Sequence, residues 1–252
     1  MNYVNIISIF REFLISFYRL FSFIAIIVTF FYIISLSRAV RKFVYKQKHT
    51  GFEKVGMILF FGFLGIFASE FGFKIAGGVA NIRDCIAIFA GIFGGPIVGI
   101  GTGLIAGLYR MTGIWWEGFA GNLGYWTAIG CGLATIGAGF IGAWMSKYQK
   151  FNLKDINSRQ LWKIAGITAF WQIIHLQFIV PLVAPLYTDK TFWQAFGLAS
   201  ETVLLPMVLI NGFSILLLSF IIRDTIIKRE AEIAERELIE AEIKESEQRE
   251  RA

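Results

Sequence analysis

Six apolar runs govern what this chain can fold into. They cover about residues 20–36, 56–79, 85–109, 119–145, 164–187 and 200–222. A helix crossing ~30 Å of hydrocarbon needs ~20 such residues. Phe, Trp and Tyr make up 16% of the 252 residues, and only 17% are charged. A soluble domain of this size has ample polar skin and no use for so much apolar surface. The fold class read from this pattern is all-α: a polytopic membrane helical bundle of six to seven spans. The lipid bilayer is thus its first partner, and nothing in the pattern points to nucleic acid.

The third run differs from the others. It follows Asn81, Arg83 and Asp84, breaks at Gly94-Gly95-Pro96 and closes at Tyr109-Arg110. A broken helix at membrane depth is tolerated only where its backbone is buried in protein or lines a cavity. Arginines there are functional-site candidates, because a guanidinium is costly in hydrocarbon. Its planar fork matches a carboxylate or a phosphate. Arg83 and Arg110 are therefore the leading candidates for capture of a small anion. Asn81 and Asp84 complete the set of ligand-binding candidates. The structural reading pairs Arg83 with Asp84 and Arg110 with Glu117. Tyr109, Trp115 and Trp116 read as interface aromatics.

Charge bears on topology. Arg38, Arg41, Lys42, Lys46, Lys48 and Lys54 form one basic loop; Lys147, Lys150, Lys154, Arg159 and Lys163 form another. The positive-inside rule places both in the cytoplasm. Six simple crossings would put them on opposite sides. The conflict disappears if the 85–109 run folds back at Gly94-Gly95-Pro96, for a count of seven. The competing reading is one kinked helix. In the hairpin reading the N-terminus, Arg83 and Arg110 face outward, and Arg110 lies in a recessed cavity.

Gly91, Gly95, Gly99, Gly103 and Gly107 recur every fourth residue and clear one helix face for a close neighbour. Gly130, Gly132, Gly137, Gly139 and Gly142 mark the 119–145 helix as that neighbour. Gly94, Gly95, Pro96, Gly99 and Gly103 are thus structural or hinge positions, as are Pro206 and Asn211 in the last span. Gln172, His175 and Gln177 form a polar stripe suited to hydrogen bonding between helices. Cys85 and Cys131 read as buried free thiols. Two distant histidines, His49 and His175, argue against a metal site. No cofactor motif is visible.

Three segments follow. Residues 1–37 form an amphipathic segment and first span, and residues 38–222 the multi-pass domain. Residues 223–252 are densely charged, lack Gly and Pro, and read as a continuous helix. Ile227, Ala231, Ala234, Leu238 and Ala241 follow the 4-3-4-3 spacing of a weak coiled-coil seam, which predicts a homodimer. A solvated single helix is the alternative. The chain carries no kinase histidine box, cyclase signature or nucleotide loop, so it is not itself an enzyme. It stops where a signalling helix would hand over to a next domain: either it is a piece of a longer protein or it acts through separate partners.

Asn81-x-Arg83, Gly95-Pro96 with Gly99 and Gly103, Gly107 through Arg110, and Leu205-Pro206-Met207 with Asn211-Gly212 together resemble the LytS/YhcK-type five-transmembrane receptor (5TMR-LYT) domain over roughly residues 50–222. The resemblance implies a sensor in the bacterial plasma membrane, with its C-terminus in the cytoplasm. Such domains sit upstream of a histidine kinase or diguanylate cyclase, so the implied partners are a cytoplasmic effector domain or response regulator. Some members respond to pyruvate through arginines, which implies a small extracellular carboxylate at Arg83 and Arg110. The family often has a glutamate in its fifth-span region, where this chain has Trp171-Gln172; the ligand's identity stays open. The fold is also similar to substrate-binding subunits of vitamin transporters, which makes transport the rival function.

Overall fold

A computed structural model describes residues 50–70, 72–75, 78–112, 126–148 and 156–251, with Tyr18, Ser22, Ala25, Thr29 and Tyr32 of the N-terminal segment. Most of the first span and of the first basic loop lies outside the described residues, as do Trp115, Trp116, Glu117, Lys150, Lys154 and Asp155.

The described chain is helical, apart from one small ribbon. Helix α1 spans Gly51–Glu70. Strands β1 (Phe73–Ile75) and β2 (Gly78–Ala80) pair antiparallel, with Lys74 opposite Val79. Helices α2 (Arg83–Gly94) and α3 (Pro96–Thr112) follow, then α4 (Ala128–Tyr148) and α5 (Ser158–Ile174). A π-helical turn, His175–Ile179, carries α5 into the short α6 (Val180–Val183). Helix α7 (Phe192–Thr202) precedes α8 (Leu204–Arg251). The second apolar run thus ends as a helix earlier than its hydropathy suggests. Gly72 and the Gly77-Gly78 pair disfavour helix there, and the chain turns into the ribbon instead.

The third run folds back on itself. Gly95 adopts φ 89°, a conformation that L side chains rarely take. Its N–H donates to Gly91 O at 3.0 Å, closing α2, and its carbonyl accepts from Val98 N and Gly99 N, opening α3. Pro96 sits at the first position of the new helix, where a missing N–H costs nothing. The limbs have 12 and 17 residues, or ~18 and ~26 Å. Neither is a full span by length. A hairpin returns to its starting side whatever depth it reaches, so the parity argument for the basic loops survives. Among the described residues, four other stretches are long and apolar enough to cross a membrane: Gly51–Glu70, Ala128–Tyr148, Ser158–Leu186 and Leu204–Lys244.

Helix α4 is the axis on which the hairpin lies, through glycine. A Cβ added at Gly99 would meet the Gly91 Cα at 2.6 Å and Gly139 O at 2.9 Å. At Gly107 it would meet Gly132 O at 2.6 Å. Backbones touch directly, so dispersion contacts that Leu or Ile would make elsewhere are made here by main chain. On the α1 side, Phe61 packs edge-on to Phe89 and Phe93, with centroids 6.0 Å apart in both pairs. Elsewhere large apolar side chains point outward, among them Phe63, Phe140, Phe170, Leu209 and Phe220. Such an apolar exterior suits lipid as the surrounding solvent.

Candidate functional site

One face of α4 organises the polar interior. Thr127, just before the helix, Cys131 and Thr135 are spaced four residues apart and therefore stack along one side. Arg110, in the last turn of α3, donates from Nη2 to Thr127 Oγ1 at 3.0 Å. Arg83, the first residue of α2, donates from Nε to Thr135 Oγ1 at 2.7 Å and from Nη1 to Ser69 Oγ at 2.9 Å. The two threonines are ~12 Å apart along the helix, and Cys131 lies between them, buried and free. The hairpin thus brings both arginines to the same end of the bundle.

Arg83 is fully buried. Its third donor group, Nη2, has no hydrogen-bond partner among the described residues. A buried guanidinium with an unmet donor costs several kcal/mol, by the usual ~1–3 kcal/mol per buried unsatisfied group and more where charge is involved. Arg110 is 8% exposed.

Asp84 is also fully buried, and points to α4 and α5. Its Oδ1 accepts from Thr135 Oγ1 at 2.7 Å and its Oδ2 from Gln172 Nε2 at 3.1 Å. His175 Nδ1 lies 2.7 Å from the same Oδ2. The π-helical turn begins at His175 and ends two residues before Pro181, where the proline ring cannot fit a regular α-turn. Gln172 and His175, three residues apart, share a face and reach one carboxylate. The polar stripe therefore does bond between helices, and Gln177 does the same by accepting from Ser200 Oγ at 3.0 Å.

Asn81 is committed to backbone. Its Oδ1 accepts from Arg83 N at 3.2 Å, and its own N–H reaches Met207 Sδ at 3.1 Å. Tyr109 donates to Glu70, joining the ends of α3 and α1. A cleft of about 520 Å³ beside α7 is lined by other residues, including Asp189, Lys190, Trp193 and Glu201. Its two carboxylates make it a poor place for an anion. Sequence reasoning missed Ser69, Thr127 and Thr135, and treated Cys131 as a bland thiol. The spacing of Thr127, Cys131 and Thr135 was the available signal, masked by the glycines around it.

Comparison with known proteins settles the family. The family described as "5TMR of 5TMR-LYT" matches residues 37–225. The chain belongs to it. LytS of Bacillus cereus, a sensor protein, is 29% identical over 217 residues, covering 79% of this chain and 32% of LytS. The sensor histidine kinase YpdA of Escherichia coli K12 is 30% identical over 138 residues, 55% of this chain and 22% of YpdA. The sensor histidine kinase BtsS of the same organism is 34% identical over 82 residues, 32% of this chain and 13% of BtsS. The 5TMR-LYT chain therefore spans a third or less of these relatives. No solved structure matches it significantly. It is a membrane-integral domain of the sensor family that the resemblance implied, and the part of these relatives that it matches is their 5TMR-LYT sensor region. The transport-subunit reading finds no support in these relatives.

Proposed function

We propose that this 5TMR-LYT chain binds a small extracellular anion between Arg83 and Arg110 and passes the binding energy to its last helix. The observation that carries the reading is the buried Arg83 guanidinium, whose Nη2 is unpartnered while its other donors are fixed by Thr135 and Ser69. A carboxylate over Cys131 would accept from Nη2 and from the Arg110 fork together. Asp84, with both oxygens occupied, supports the site from behind rather than touching an anion. A short carboxylate fits this chemistry, and pyruvate is the first candidate from the family resemblance.

The charged end of α8 would carry the change to a cytoplasmic effector domain or response regulator, in a homodimer in the plasma membrane. A ligand moves such an equilibrium only by its differential affinity for the two states. The test is titration of pyruvate, acetate, lactate and inorganic phosphate into protein in nanodiscs, with Arg83→Lys and Arg110→Lys alongside. Losing a bidentate charged contact of ~1.5–3 kcal/mol weakens binding about tenfold or more. Undiminished affinity in both lysine variants would remove the arginines from the site.

A further inference from the structure

The opening of α2 is held by a residue of another helix. Cys85 N–H and Asn81 C=O stand four residues apart, the spacing of an ordinary α-helical bond. Here the Asn211 amide of α8 lies between them. Its Oδ1 accepts from Cys85 N at 3.1 Å, and its Nδ2 donates to Asn81 O at 2.9 Å. The backbone bonds of α2 resume with Ile86 N to Ile82 O at 3.0 Å. Asn211 is fully buried, and its Nδ2 also lies 3.0 Å from its own helix at Met207 O. Arg83 and Asp84, the two ionic residues of the candidate site, lie between the bridged groups. Asn211 is thus spliced into the turn that carries them.

We infer that Asn211 is a hydrogen-bond exchange latch between the anion site and the output helix. This rests on the proposed function for its ligand. In the bridged state, α8 supplies the bonds that open α2. In the alternative state, Cys85 N–H bonds to Asn81 C=O directly, α2 gains a turn bond of its own, and Asn211 is released. Three hydrogen bonds in the bridged state become two in the alternative: each backbone group keeps a partner and Asn211 Nδ2 keeps Met207 O, but the buried Oδ1 loses Cys85 N–H. The bridged state is therefore favoured by about one buried hydrogen bond, and the ligand's differential affinity must offset that difference to populate the other state. An anion that draws Arg83 towards Arg110 pulls on the bridged turn and selects between them. Beyond Asn211 the chain is one helix to Arg251. A shift at the latch is therefore transmitted along a rigid element rather than through loops.

The test uses the whole chain in nanodiscs, a Leu238→Cys or Ile239→Cys reporter on the C-terminal helix, and pyruvate as probe. Both positions are exposed, and their crosslinking ratio reads the rotation of α8. Asn211→Leu, which keeps the branching and the number of side-chain heavy atoms and cannot bridge, should change that ratio about threefold or more without ligand and abolish its response to pyruvate, while pyruvate affinity stays within about threefold. Asn211→Asp keeps the acceptor for Cys85 N–H and loses the donor to Asn81 O; an intermediate ratio is expected. It also serves if the leucine variant does not fold. Unchanged basal ratio and unchanged response in either folded variant overturn the latch. A parent that ignores pyruvate while Asn211→Leu still shifts the basal ratio leaves the latch standing and refutes pyruvate as the ligand.

Discussion

Replacing Gly99 by alanine tests whether glycine contacts set the position of both arginines. The added methyl would fall 2.6 Å from the Gly91 Cα, 2.9 Å from Gly139 O and 3.1 Å from Gly91 N. Carbon atoms rest at ~3.5–4.0 Å, so the shortfall is about 1 Å. The obstacles are backbone on two sides, and no rotamer change relieves them. Overpacking of this kind costs ~1–3 kcal/mol, and the rigid surroundings favour the upper half of that range. Alanine also gains ~1 kcal/mol in helix propensity over glycine, which would mask part of the cost. Gly166 in α5 supplies the control, because a Cβ there meets nothing within 4 Å. The propensity gain is common to both variants, and their difference isolates packing. At ~2–4 °C per kcal/mol for a chain of this size, Gly99→Ala should melt ~4–12 °C below Gly166→Ala. Tryptophan fluorescence in mild detergent measures this. Because the wedge separates α3 from α4, Arg110 should also lose Thr127 and anion affinity should fall. Equal melting of the two variants would refute the close-packing account.

Asp84→Leu should destabilise by ~3–5 kcal/mol, since it strands the His175 and Gln172 donors. Asp84→Asn keeps an acceptor for them, should cost less in the same melts, and should hold or raise carboxylate affinity because a negative charge near Arg83 is gone; weaker binding by the asparagine variant would make Asp84 a ligand contact. In a Cys85/Cys131-free background, cysteines at 147–163 should react only from the cytoplasmic side, and external labelling would overturn the hairpin parity. Cysteines at Ala234 or Leu238, both exposed on the described helix, should crosslink in membranes through the weak seam with Ile227, Ala231 and Ala241. Absence of crosslinking would remove the dimer.

The sequence by itself determined the solvent and the predominantly helical character of the chain. Apolar runs near 20 residues require lipid and helix, and Gly95-Pro96 permits the reversal that Gly95 makes at φ 89°. The four-residue glycine ladder announced the close face, because a stripe without side chains has that consequence at any position in a bundle. The two arginines were legible too, since charge in an apolar run is conspicuous. What the sequence could not assign was partners. Asp84 stands next to Arg83 in the chain, yet its oxygens go to Thr135, Gln172 and His175. Asn211 reads in the sequence as a hinge or as a packing and hydrogen-bonding residue, and its partners lie 126 and 130 positions away. Thr127 and Thr135 carried no signal of their own, because a threonine is ordinary in any helix. Hydrogen bonds between spans depend on how helices rotate and cross. That is fixed by many small packing contacts summed over the bundle, and no local stretch of sequence encodes it.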